Sequence, residues 1–240
     1  MEIDEYVDNL MQIKEYFHNL SQIVKKVNSI LDTVAAFQQN SLPQSPVLNL
    51  ELSDEYILDH IIEYPELMQV SSYLENLRQV LIENLGIWHV VNQKWIDDLQ
   101  RFIGKDSHNL EVMCGNAIIS ANLQNTIATD NLDWKNQDNQ KPHPWCQVEQ
   151  LDAMQAVKKY YAHVDNIIMA WAPDCGESDY EILCYLRKVK FKGNLIVIGE
   201  RNGATNSKKF WQKAKLELNS QLNLHHRPFD FIKDKVWLVK

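Results

Sequence analysis

Between Asn109 and Ala121 an apolar run, Leu110-Glu111-Val112-Met113, gives way to Cys114-Gly115-Asn116-Ala117 and then to Ile118-Ile119-Ser120. A strand, a loop and a helix in that order bring backbone N–H groups close to a ligand, and a glycine in the loop removes the Cβ that would hold the ligand off. Glu111 adds a carboxylate at the strand's end. The next apolar stretch, from Thr126, ends on Asp130-Asn131, at about the separation where an acidic residue meets a ribose in dinucleotide-binding units. A carboxylate placed there accepts hydrogen bonds from two neighbouring hydroxyls. Val148-Glu149-Gln150-Leu151 runs into Asp152-Ala153, a third acidic strand end. Farther on, Asn166–Trp171 opens into Ala172-Pro173-Asp174, where Trp171 and Pro173 can wall a pocket and Asp174 or Glu177 can orient or deprotonate a nucleophile. A fifth run, Gly193–Glu200, leads into the polar loop Arg201-Asn202-Gly203-Ala204. Each segment also has a plainer reading: an Asp after a strand is ordinary turn chemistry, and Ser178 and Ser207 stand where helix N-caps belong.

These residues need strand ends to hold them. Apolar runs at Leu110–Met113, Thr126–Thr129, Gln147–Val148, Asn166–Trp171, Leu195–Ile198 and Val236–Val239 alternate with helix-length stretches. That alternation predicts an α/β fold, a Rossmann-like, mainly parallel sheet with helices on both faces and ligands beyond the carboxyl ends of its strands. The last run follows Phe229–Lys235 too closely for a crossover helix, so a C-terminal β-hairpin and an antiparallel edge are expected. Residues 1–105 read as an all-helical N-terminal segment and 106–240 as the α/β domain. Ile3, Tyr6, Leu10, Ile13, Phe17, Leu20, Val24, Val27, Leu31 and Val34 keep a three-four spacing without Gly or Pro. One long helix pairing with a second copy, giving a homodimer, or a helical hairpin packed on the chain's own helices both fit. A break near Asn19-Leu20-Ser21 would select the hairpin. Ser53 should cap a short helix, Pro65 start another that ends at Gly86, and a further helix should run from about Trp88 to Phe102, with Trp88 and Trp95 in its core.

Composition excludes several classes. A net charge of −8 supplies no general field for nucleic acid or anionic lipid, so nucleic acid is not an expected partner. No apolar run reaches the roughly 20 residues of a membrane span, and the start lacks a signal peptide's pattern. Cys114, Cys146, Cys175 and Cys184 form no CxxC or zinc spacing, and the pair His225-His226 has no third ligand nearby in sequence, so no metal is expected and a cytoplasmic location fits best. Nucleophile-elbow, phosphate-loop and metalloprotease motifs are absent.

The ordered strand ends resemble those of the S-adenosylmethionine-dependent methyltransferases of Rossmann-like fold. In that family an acidic residue precedes a Gly-x-Gly-x-Gly turn; Glu111 and Met113-Cys114-Gly115-Asn116-Ala117 lie on this frame, with Met113 and Ala117 in place of the outer glycines. The resemblance implies S-adenosylmethionine as cofactor, Glu111 toward its ammonium, Met113, Gly115 and Asn116 along its backbone approach, Asp130 and Asn131 at the ribose, Asp152 and Ala153 at the adenine, and Trp171 walling the pocket. Pro173, Asp174, Glu200 and Asn202 would then face the methyl acceptor, whose identity and catalytic residues the sequence leaves open. The alternatives are a non-catalytic member of that fold, favoured by Met113 and Ala117, and a nicotinamide-dependent oxidoreductase, disfavoured by the missing glycines.

Overall fold

The computed structural model describes residues 1–240, beginning with α1 (Ile3–Tyr16) and α2 (Ser21–Gln38), which pack on each other across a turn at Phe17–Leu20. The three-four seam is thus shared by two helices, and the single long helix does not form. Leu20 N–H bonds back to the Phe17 carbonyl at 2.8 Å and closes the turn. Tyr6, Leu10, Phe17, Leu20, Val27 and Val34 are buried within this chain, so the seam no longer argues for a homodimer. Folding back buries the stripe against the chain's own helices and needs no partner to do so.

Ser53 caps α3 (Asp54–His60) by accepting the Tyr56 N–H at 3.2 Å. The expected helix after Pro65 is two, α4 (Leu67–Glu75) and α5 (Leu77–Leu85), joined at Asn76; Gly86, at φ 62°, caps the second in the left-handed region as its position foretold. The next helix, α6 (Gln93–Ile103), starts later than expected because Asn92 takes the cap, accepting the Trp95 N–H at 3.0 Å. Trp95 is core, but Trp88 lies in the loop before α6. No helix is long and apolar enough to cross a membrane.

The remainder is built from β1 (Asn109–Val112), β2 (Thr126–Asp130), β3 (Val148–Gln150), β4 (Asn166–Ala170), β5 (Asn194–Gly199), β6 (Leu216–Leu218) and β7 (Lys235–Val239). Helices α7 (Ile118–Asn122), α8 (Ala153–Tyr160), α9 (Ser178–Lys188) and α10 (Lys208–Lys213) connect them. The order is β3-β2-β1-β4-β5-β7-β6, with β1 to β5 parallel and β7 antiparallel to both neighbours. All six expected strands form. The C-terminal antiparallel hairpin also forms, but β7 is not the edge. The short β6, which the sequence reading passed over, takes that place: its Glu217 and Leu218 are exposed, as suits an edge, whereas Val236 and Val239 of β7 are buried.

Alternation along the strands divides the core. Leu110, Val112, Ile167, Met169, Leu195 and Val197 meet α8, α9 and α10 through Val157, Ile182, Leu186 and Phe210. Ile168, Ile196, Ile198 and Val236 point to the other face and join the cluster made by the N-terminal helices and α7. The helical segment therefore supplies the second cover that a parallel sheet requires. An amide ladder fixes the register beneath the site: Asn166 donates to Asn109 at 2.8 Å and Asn194 to Asn166 at 2.7 Å, across β1, β4 and β5. Successive strands run outward from β1 in one direction and from β4 in the other, so the sheet's topological switch lies between these two strands, the point where open α/β sheets in general take their ligands.

Candidate functional site

At that switch the loop after β1 turns three times through the left-handed region, at Met113 (φ 52°), Gly115 (φ 54°) and Ala117 (φ 55°). These are the three positions of the glycine frame. A residue with a Cβ costs about 1–2 kcal/mol in this conformation, and the loop keeps it because its backbone is tied on both sides. Cys114 N–H bonds the Thr129 carbonyl at 3.1 Å, and Gly115 N–H bonds Asp130 Oδ2 at 2.9 Å. Asn116 donates to the carbonyls of Leu85 and Gly86 at 2.8 and 3.2 Å and accepts the His143 N–H at 2.7 Å.

The loop borders a cleft of about 470 Å³, within the range of small-molecule sites. Glu111, Met113, Gly115, Asn116, Asp130, Asn131, Asp152, Ala153, Trp171, Pro173 and Asp174 all line it. Glu200 and Asn202 do not. Glu200 closes its own loop, accepting the N–H groups of Lys233 at 2.8 Å and Ala204 at 3.0 Å, and Asn202 sits exposed at φ 60° in the same turn. Those two expectations are corrected: Glu200 is spent on its own turn and on the connection before β7, and of this loop only Ala204 reaches the cleft.

The lining carboxylates differ in what they have left to offer. Glu111 is buried and accepts both the N–H and the hydroxyl of Ser120, at 2.9 and 2.5 Å, which anchors α7. Burial raises its pKa to about 7 against the opposing pull of the Ser120 bonds, with the Asp130 charge adding to the rise. It is poorly suited to hold an exposed ammonium. Asp130 gives one oxygen to Gly115 and the other to Leu132 N–H at 2.7 Å, so each retains a free lone pair. Asp152 caps α8 through Oδ1, toward Met154 N–H at 2.9 Å, in a capping box with Gln155, and its side chain is exposed. Asn116 gives its amide nitrogen to two carbonyls and one lone pair of its oxygen to His143, and serves the scaffold. Burial, then the nearby Glu111 and Asp130 charges, push the Cys114 thiol up, so it is no thiolate nucleophile.

Several lining residues escaped the sequence reading: Trp88 and His89 from the loop before α6, and Trp134 and Gln137 from the connection between β2 and β3. Trp88 and Trp134 meet edge to face, 5.0 Å between centroids, and add an aromatic wall. Their signals pointed elsewhere: Trp88 stands at helical spacing from Trp95 and reads as helix core, and Trp134 is a lone aromatic in a polar stretch. No protein-family model matches this chain, and no curated protein matches it significantly. The site therefore speaks through its geometry alone.

Proposed function

We propose that the cleft binds S-adenosylmethionine and that the chain is a methyltransferase-like protein of Rossmann-like fold. One observation carries the reading: acidic strand ends chosen from the order of the sequence meet around one cleft, beside a loop left-handed at all three glycine-frame positions. The parallel sheet with its antiparallel C-terminal hairpin agrees with it. Asp130, with a free lone pair on each oxygen, would hold the ribose hydroxyls; Asp152, through Oδ2, the adenine amine; Trp88, Trp134 and Trp171 the apolar walls. When bound, the cofactor supplies an electrophilic methyl group, and the protein's part is to hold the acceptor in line in a site shielded from water. Pro173 and Asp174, which also line the cleft, would face that acceptor.

Glu111 favours a second reading, a non-catalytic interaction or ligand-sensing module whose cofactor site has decayed, because the carboxylate expected at the ammonium is spent on Ser120. Titration with S-adenosylhomocysteine should quench the cleft tryptophans saturably; a flat titration to millimolar ligand overturns the first reading and favours the module. Saturable binding of the cofactor with no methyl transfer to any acceptor in a broad panel of small molecules and proteins would favour the module.

A further inference from the structure

Behind the cleft, where the loop before α6 meets the connection into β7, three metal-ligand side chains converge. His89 Nε2 stands 3.0 Å from His226 Nε2, His226 Nε2 stands 3.8 Å from Asp234 Oδ2, and all three atoms lie within 4.8 Å of one another. All three residues are buried. The sequence showed only the adjacent pair His225-His226; His89 comes from far away in the chain, and Asp234 from a little farther along the same connection.

The pattern of contacts separates a cation site from a proton relay. A relay passes through opposite nitrogens of each imidazole. His226 instead turns the same Nε2 to both neighbours, and the Nδ1 atoms of both histidines have no hydrogen-bond partner. Three potential ligand atoms thus gather on one side of His226. Charge leads the same way: Asp234 accepts one hydrogen bond, from Trp171 Nε1 at 2.7 Å, and has no lysine or arginine at ion-pair distance. The buried cation nearby, Arg78, is already held by both oxygens of Asp230, at 2.6 and 3.2 Å. A buried carboxylate without a counter-charge is costly, and a bound cation removes that cost.

We propose that His89, His226 and Asp234 bind one divalent transition-metal ion of the zinc type. Bonds of about 2.0–2.1 Å in a tetrahedral site hold ligand atoms roughly 3.3 Å apart. The histidine pair is near that spacing, and Asp234, 3.8 Å from His226, stands slightly farther out. A small cavity of about 10 Å³ borders His226 and Asp234 and has room for about one water. The ion clamps the loop that carries Trp88 of the cleft wall to the C-terminal connection, and through Asp234 it steadies Trp171. This site stands independently of the cofactor reading.

Chelator-treated full-length protein, dialysed against zinc, should retain one equivalent by elemental analysis, and cobalt should give the visible bands of a four-coordinate site. The thermal midpoint should climb with free zinc. His89→Gln with His226→Gln should abolish retention, whereas His225→Gln, whose ring bonds Asp98 at 2.6 Å, should leave it intact. If the double variant does not fold, Asp234→Asn provides the test, with affinity at least about tenfold weaker. Wild-type protein that retains no zinc and shows no cobalt bands overturns the assignment, as does wild-type affinity in the ligand variants.

Discussion

The loops after β1 and β5 draw on the same kinds of residue, an acid, a glycine, asparagine and alanine, and the structure uses them differently. After β5, the left-handed positions fall on Asn202 and Asn206, which tolerate that conformation. Glu200 folds over its own turn, so tightly that a Cβ on Gly203 would lie 2.0 Å from its Oε2. After β1, two of the left-handed positions fall on Met113 and Ala117, which tolerate it badly, and the loop is held by groups from β2 and α5. One loop relieves its strain and closes; the other keeps its strain and faces a cleft. Strained backbone of this kind clusters at functional sites, which makes the β1 loop the one to test.

The largest expected difference between the loops concerns charge. Glu111 has a folded pKa of about 7 against an ordinary 4.5, so the folded state holds the proton more tightly than the unfolded chain. Its contribution is full below the lower value and is lost as pH rises through the upper one, roughly 3 kcal/mol in all. Urea unfolding on either side of this window should show that loss in wild type and not in Glu111→Gln; identical slopes would remove the buried acid from the account. Next is Asp130→Ala, which strands the N–H groups of Gly115 and Leu132 and should cost about 2 kcal/mol. Glu200→Ala should cost under about 1 kcal/mol, because water reaches the exposed N–H groups it frees.

Gly115→Ala should destabilise by about 1–2 kcal/mol from its left-handed φ alone, since the new Cβ would stand an ordinary 3.8 Å from Trp134. Met113→Gly should tighten S-adenosylhomocysteine binding by opening the cleft, and Ala117→Gly should not, because Met113 lines the cleft and Ala117 does not. Equal effects of the two would mean that they act through loop flexibility. The smallest change belongs to Asn202→Gly, within a few tenths of a kcal/mol in denaturant melts.

Strand positions were legible because apolar runs broken by acids and glycines carry their own punctuation, and the cleft side of the first four strand ends followed from them. The β5 loop was misread because Glu200's partners, the backbone of Ala204 and Lys233, cannot be inferred from composition. Short β6 has too few residues to show a period. The N-terminal seam was ambiguous in principle: the same spacing serves a coiled coil and a hairpin, and only the turn at Phe17–Leu20 decides. Trp88 and Trp134 reach the cleft through tertiary contacts that no local pattern announces.

The most direct measurement is calorimetric titration of S-adenosylhomocysteine into wild type, Asp130→Ala and Glu200→Ala in parallel. The account predicts saturable one-to-one binding that Asp130→Ala loses and Glu200→Ala keeps. No binding to wild type, or equal loss in both variants, would contradict it.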